Sequence, residues 1–142
     1  MRFLVMGKAT ADTEAGVLPT TEELEAMGAY VQELAAAGIL LAFGGLRPSS
    51  AGARVRFSGG EPTVLDGPFA ETKELVAGYM ILEVSSTEEV IEWVKRSPMA
   101  DGAEMEIRPL FEDGDFGDNE TPEQREADTR LRAAVAEQHP GR

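Results

Sequence analysis

The segment with the richest chemistry is Leu65-Asp66-Gly67-Pro68-Phe69-Ala70-Glu71-Thr72-Lys73-Glu74, where a carboxylate, an aromatic ring and an amine stand beside glycine and proline. Asp66-Gly67-Pro68 is sound turn chemistry on its own. Aspartate accepts backbone hydrogen bonds, glycine permits unusual φ, and proline fixes the next residue. A functional reading adds Arg47, just past the apolar run that ends at Gly44-Gly45, and Tyr79 in the next apolar run. Arg47 cannot serve as a base, because its guanidinium stays protonated above about pH 12. It can grip a carboxylate through two parallel hydrogen bonds. An aspartate, with an ordinary pKa of about 3.9, is a poor base at neutral pH unless burial raises that value, and a nearby arginine acts the other way. Two arrangements stay open: Arg47 pairs with Asp66 and structures the loop, or Arg47 holds an anionic ligand while Asp66 moves a proton. The candidate ligand-binding set is Arg47, Asp66, Phe69, Lys73 and Tyr79, with Asp66 the candidate acid–base residue, and the set suits binding better than catalysis.

Composition narrows the alternatives. The chain has 142 residues, with 26 acidic against 13 basic side chains and a net charge of −13, one histidine and no cysteine. Without cysteine there is no thiol nucleophile, disulfide or thiolate metal site. No metal site is expected from carboxylates either. Asp113, Asp115 and Asp118 imitate a calcium loop, but Gly117 falls where a ligand belongs and Asp118 where the glycine should be. Glu22, Glu23 and Glu25 are explained by the dipole of a helix start. Neither G-x-x-x-x-G-K nor G-x-G-x-x-G occurs, so no nucleotide cofactor is expected. The negative charge repels phosphate backbones and anionic membranes, which excludes nucleic acid and lipid surfaces as favoured partners. Met1–Met6 is too short for a signal-peptide core, and the run from Leu34 to Phe43, broken by Gly38, falls short of the roughly 20 residues that span a bilayer. A cytoplasmic location is the expectation.

The elements that must position the candidate residues read in two similar units. Residues 2–6 are uniformly apolar, as a buried strand would be. Thr20 and Glu23 have capping-box spacing, Leu24, Met27, Val31 and Leu34 recur at helical intervals, and Gly38 stands where a helix stop is expected. A helix over about 21–37 follows, then a second strand over 39–43. The pattern returns with a strand at 79–84, a capping box at Ser86 and Glu89, an apolar stripe of Val90, Ile91 and Val94 ending at Ser97-Pro98, and an alternating strand at 104–108. Between the units, Arg54–Phe57 and Thr63–Leu65 flank Ser58-Gly59-Gly60-Glu61-Pro62 and predict an inserted hairpin. Two split β-α-β units give a ferredoxin-like βαββαβ fold of the α+β class, over residues 1–110. Residues 111–142 form an acidic C-terminal extension, in which Thr121-Pro122-Glu123-Gln124 predicts a short helix to about Glu137. Trp93, a lone aromatic among charged neighbours, reads as packing.

Along the strands Phe3 and Val5 oppose Leu4 and Met6, and Met80 and Leu82 oppose Tyr79 and Ile81, so both sheet faces are apolar. Two helices cover one face. The other calls for a partner, most simply a second copy across a two-fold axis, giving a homodimer with sheets face to face. The alternative is that the hairpin and the tail helix cover it within one chain.

Asp66-Gly67-Pro68-Phe69-Ala70-Glu71-Thr72-Lys73-Glu74 closely resembles the signature of the YCII-related proteins of the DGPF type. Gly52-Ala53-Arg54-Val55-Arg56, Gly78-Tyr79, Glu92-Trp93 and Glu104-Met105-Glu106-Ile107-Arg108 fall in the family's order, so the resemblance covers about residues 1–110. It implies a dimeric ferredoxin-like α+β barrel whose biochemical function is largely undefined. It also implies a His–Asp pair in a cleft, with the aspartate at Asp66, and some genes of this type lie beside those of alternative sigma factors. Related sequences carry glutamate, then glycine, leucine and histidine or glutamine, at the end of the second strand, where this chain reads Gly44-Gly45-Leu46-Arg47. The single histidine, His139, lies in the tail, so the implied dyad is not intact. What remains is a small-molecule binding domain for an anionic or polar metabolite, with acid–base catalysis by Asp66 or a regulatory interaction module as alternatives.

Overall fold

A computed structural model describes residues 1–141; Arg142, the end of the expected extension, lies outside the described residues. The chain divides into two compact units, Met1–Pro109 and the chain from Leu110 onward. In the first unit the elements are β1 (Arg2–Lys8), α1 (Ala11–Glu14), α2 (Thr21–Ala36), β2 (Leu40–Gly45), β3 (Ala53–Ser58), β4 (Glu61–Asp66), β5 (Val76–Glu83), α3 (Thr87–Lys95) and β6 (Met105–Pro109). The four main strands pair antiparallel in the order β2-β5-β1-β6, and β3-β4 is a separate two-stranded ribbon. That order places the first strands of the two β-α-β units side by side at the centre, which is the ferredoxin-like arrangement.

Local chemistry sets the helix limits. Thr20 caps α2 by accepting from the Glu23 backbone N–H at 3.1 Å. The helix closes in a Schellman motif: the Ile39 N–H reaches the Leu34 carbonyl, the Gly38 N–H reaches that of Ala35, and Gly38 takes φ +75°. Ser86 caps α3 through the Glu89 N–H. The reciprocal half of the expected capping box goes elsewhere, because the Glu89 carboxylate accepts from the backbone and hydroxyl of Ser85. Those bonds hold the Glu89 carboxyl below its ordinary range.

The core lies between one sheet face and two helices. Phe3, Val5, Met80 and Leu82 from the sheet pack with Tyr30 and Leu34 of α2 and Val90 of α3. Phe3, Val5, Leu34, Leu82 and Val90 are fully buried. The helix stripes differ from expectation at two places: Leu24 of α2 and Ile91 of α3 are exposed, and in α2 Tyr30 takes the core position. A tyrosine can do so because its hydroxyl donates to the Trp93 carbonyl at 2.8 Å, so the hydroxyl is not buried without a partner. Burial raises the Tyr30 pKa, with Arg96 opposing and Glu33 adding to the rise. Trp93 packs against this core, as read from its surroundings. On the opposite sheet face Leu4 lies beside Ile81, and Met6 beside Tyr79, all half-buried. Glu106 stands next to Met6 and pairs with Lys8 at 3.5 Å and Arg108 at 3.4 Å.

The second unit is built around α4 (Pro122–Gln138). Thr121 and Gln124 form a reciprocal capping box, with Pro122 in the first turn. Phe111 and Phe116 stack at 4.6 Å. Among the described residues, no helix is long and apolar enough to cross a membrane.

Candidate functional site

The connection from β2 to β5 carries four of the five candidate residues. Past Gly45 the chain stays beside β5 for one more bond, from the Leu46 N–H to the Ala77 carbonyl at 2.8 Å. Arg47 and Pro48 lead into a turn of 3₁₀ helix, Ser49–Ala51, and then into the β3–β4 ribbon. The ribbon closes at its base where the Gly67 N–H meets the Gly52 carbonyl at 3.1 Å. The Asp66–Glu74 loop then folds back over the Ser49 turn. The Phe69 N–H donates to Ser49 Oγ at 3.0 Å, and a Cβ on residue 67 would lie 1.7 Å from the Ser49 carbonyl oxygen. Only glycine allows the two backbones to approach this closely.

Ser49 is itself held from a third segment. Its N–H and hydroxyl both donate to the Glu14 carboxylate, at 3.0 and 2.5 Å. Glu14 ends α1, which Thr10 and Thr13 cap reciprocally. Charge-assisted bonds of this kind are the stronger class. On the ribbon, the Arg54 guanidinium lies 3.9 Å from the Phe69 ring centre, a cation–π contact. Glu14, Ser49 and Arg54 therefore position the loop, and none was a candidate. A carboxylate and a serine 35 residues apart leave no periodic trace in a sequence.

The candidate residues are not gathered into one cluster. Arg47 and Lys73 are exposed, the latter in a 3₁₀ turn, Thr72–Glu74. Asp66 is exposed at the end of β4, opposite Ala53. Strand alternation puts it on the ribbon face away from Arg54, hence away from the Arg54–Phe69 stack. Phe69 is half-buried. Tyr79 sits on the sheet face opposite the helices, its ring against the backbone of Gly44, where a Cβ would come within 3.0 Å of it. Among the described residues, the side chains of Arg47, Asp66 and Lys73 have neither a hydrogen bond nor an ion pair. The Arg47–Asp66 pair, one of the two arrangements left open, is thus not formed. His139 ends α4 in the second unit. Among the described residues, no three His, Cys, Asp or Glu side chains are gathered as a metal ion would require.

The arrangement amounts to a loop fixed by backbone and carboxylate bonds, with two cations and one carboxylate left facing water around it. Unpaired guanidinium and ammonium groups on a rigid support can receive an anion without first giving up an internal partner.

Comparison with known proteins covers the same part of the chain. A family model described as the YCII-related domain matches residues 1–113. An uncharacterized protein of Rhizobium meliloti (strain 1021) is 39% identical over 67 residues, covering 46% of this chain and 54% of the relative. The chain thus spans about half the length of the curated relative it matches. Among solved structures, 5-chloro-2-hydroxyhydroquinone dehydrochlorinase from Burkholderia phenoliruptrix AC1100, in complex with 2,5-dihydroxybenzoquinone, is similar at a TM-score of 0.43 and 18% identity. The likeness covers 79% of this chain and 96% of that one.

Proposed function

Because the chain belongs to the YCII-related family, we propose that its first unit binds a small anionic or polar metabolite where the 66–74 loop meets the end of β2. The observation that carries this reading is the pair of exposed cations, Arg47 and Lys73, left without an internal anion beside a loop that Glu14 and Ser49 hold in place. In a chain of net charge −13, an unpaired cation is at a premium, and most of the surface would repel an anion. Phe69 on the loop and Tyr79 beside Gly44 supply apolar surface, whereas Asp66, on the other face of the ribbon, stands apart from Phe69. Catalysis by Asp66 is the weaker reading, since among the described residues no second titratable group is hydrogen-bonded to or ion-paired with its carboxylate. The test is thermal unfolding against a panel of small carboxylates and phosphate monoesters, with Arg47→Ala and Asp66→Ala alongside. A compound at a hundred times its Kd adds about 2.7 kcal/mol of stability, a shift of several degrees. The expected result is a stabilising anion whose effect is lost in Arg47→Ala. A panel that leaves the wild type unmoved, or a shift that both variants keep, overturns the proposal.

The sheet face formed by Leu4, Met6, Tyr79 and Ile81 supports a homodimer with sheets face to face. Leu4, Met6 and Ile81 are apolar side chains in register on the face opposite the helices. Sedimentation velocity over a range of concentrations measures it. A chain that stays monomeric throughout rules it out.

A further inference from the structure

We propose that Lys8 is a further ligand-binding residue, and that its ligand is a small monocarboxylate with an apolar body. This rests on the anion-binding reading of the 66–74 loop and extends that site onto the sheet. Alternation along β1 puts Phe3 and Val5 in the core and Leu4, Met6 and Lys8 on the face opposite the helices. Lys8 therefore carries an ammonium at the end of an apolar row. Its side chain is 21% exposed. Sinking a charge this far into apolar surroundings is costly unless its donors find partners.

The partners present do not exhaust it. An ammonium has three N–H donors. Among the described residues Lys8 Nζ makes one hydrogen bond, to Glu106 Oε1, and at 3.5 Å it is a long one. The other oxygen of Glu106 meets Arg108 at 3.4 Å. Two cations on one carboxylate leave one positive charge, in a chain whose net charge is −13. A monoanion matches that charge. A carboxylate thus suits the group better than a phosphate monoester, which carries more than one charge at neutral pH.

The backbone leaves room beside the ammonium. The β1–β5 register slips between Gly7, opposite Gly78, and Lys8, opposite Val76, so Ala77 is the extra residue of a bulge. Bulges re-aim side chains, and β5 carries only Ala77 and Gly78 here before Tyr79. Met6, with Tyr79 opposite on β5 and Glu106 opposite on β6, gives an apolar floor for the body of the ligand. The Tyr79 ring, lying against Gly44, bounds it on the β2 side. Leu4 and Ile81, the next pair along, remain for the sheet-to-sheet contact. The same corner adjoins the loop: the Ala9 N–H donates at 2.9 Å to the carbonyl of Leu75, which directly follows the 3₁₀ turn that holds Lys73.

Isothermal titration of the full chain with acetate, isocaproate and inorganic phosphate tests the inference, together with Lys8→Gln, Lys8→Arg and Arg47→Ala. The wild type is expected to bind isocaproate about tenfold or more tighter than acetate, and tighter than phosphate. Lys8→Gln should weaken isocaproate binding about tenfold, and Lys8→Arg, which keeps the charge, should recover most of it. Thermal unfolding checks that the variants fold. A second measurement needs no variant: saturating isocaproate should protect Lys8 of the wild type from reductive methylation, read by mass spectrometry. Three results overturn the inference: a wild type with no preference for isocaproate, a Lys8→Gln that keeps the wild-type Kd, or a Lys8 that is methylated equally with and without isocaproate. If Arg47→Ala abolishes binding of acetate or phosphate in any of these cases, the loop reading stands alone. A wild type that binds none of the three anions overturns both.

Discussion

Phe3, Val5, Leu34, Leu82 and Val90 have lost all contact with water, whereas every residue of the β3–β4 ribbon from Ala53 to Val64 is exposed. The two regions belong to one compact unit and are stabilised differently. In the sheet, each buried side chain contributes through area removed from water, about 1.5–3 kcal/mol apiece, and the cost of a change spreads to the whole fold. Between β2 and β5, order comes from a few directed contacts: the Gly67 and Phe69 amides on the Ser49 turn, Ser49 on Glu14, and Arg54 on Phe69. The difference shows how a loop can be held in place without sharing the hydrophobic core, and so stay open to solvent.

The sharpest way to break the comparison is a core deletion. Leu34→Ala should cost about 3 kcal/mol, measured by urea unfolding, since the residue is fully buried and its cavity has packed walls. Gly67→Ala should follow, at about 2 kcal/mol, because the new methyl group would meet the Ser49 carbonyl oxygen. Its effect should be confined to the loop: hydrogen exchange at Phe69 should accelerate while amides of β1 and β5 keep their protection. If the sheet amides open as well, loop and core are one cooperative unit and the distinction fails. Ser49→Ala removes both a donor to Glu14 and an acceptor for the Phe69 N–H, and about 1.5 kcal/mol is expected, again local.

Smaller effects sharpen the comparison from the core side. Tyr30→Phe should cost about 1 kcal/mol or less by urea unfolding, because the Trp93 carbonyl keeps its bond from the Arg96 N–H. Its pH signature is distinct. The folded pKa of Tyr30 lies above its ordinary 10.0, so this group's contribution is complete below that value and fades as pH rises through the folded one. Tyr30→Phe should remove that alkaline loss. Glu89 runs the other way: its carboxyl is held below the ordinary 4.5, so its contribution is present above that value and is lost as acidification passes through the lowered one. Ser85→Ala should flatten this acid limb slightly in a pH series of thermal unfolding.

The elements of the sheet were legible because their signals are local and periodic. Thr20, Gly38 and Ser86 mark helix limits by their own chemistry, and the Ser58–Pro62 stretch marks a turn. Alternation in β1 and β5 also gave the two faces correctly. Leu24 was misjudged because a helical stripe scores hydrophobicity, and Tyr30 entered the core through a hydrogen bond to a residue on another helix. The four-residue α1 has no apolar period to announce it, and its capping pair is two threonines. Around the 66–74 loop, the residue types were visible and their relations were not. The sequence offers Arg47 as a partner for Asp66, yet strand alternation turns Asp66 away from Arg54, and Ser49 and Glu14 supply the anchoring. Contacts of this sort depend on where three connections meet in space, and nothing in the spacing of polar residues encodes that.

The register between β2 and β5 carries a further consequence. Gly45 already stands opposite Gly78, on antiparallel neighbours, so the intervening chain is needed neither to thread the sheet nor to set its pairing. A tight hairpin turn would join the two strands. Everything from Leu46 to Leu75 is in that sense surplus to the topology, and lengthening it further costs only slowly growing loop entropy. This connection is where the sheet tolerates insertion and replacement, since changes there leave the packing beneath it in place.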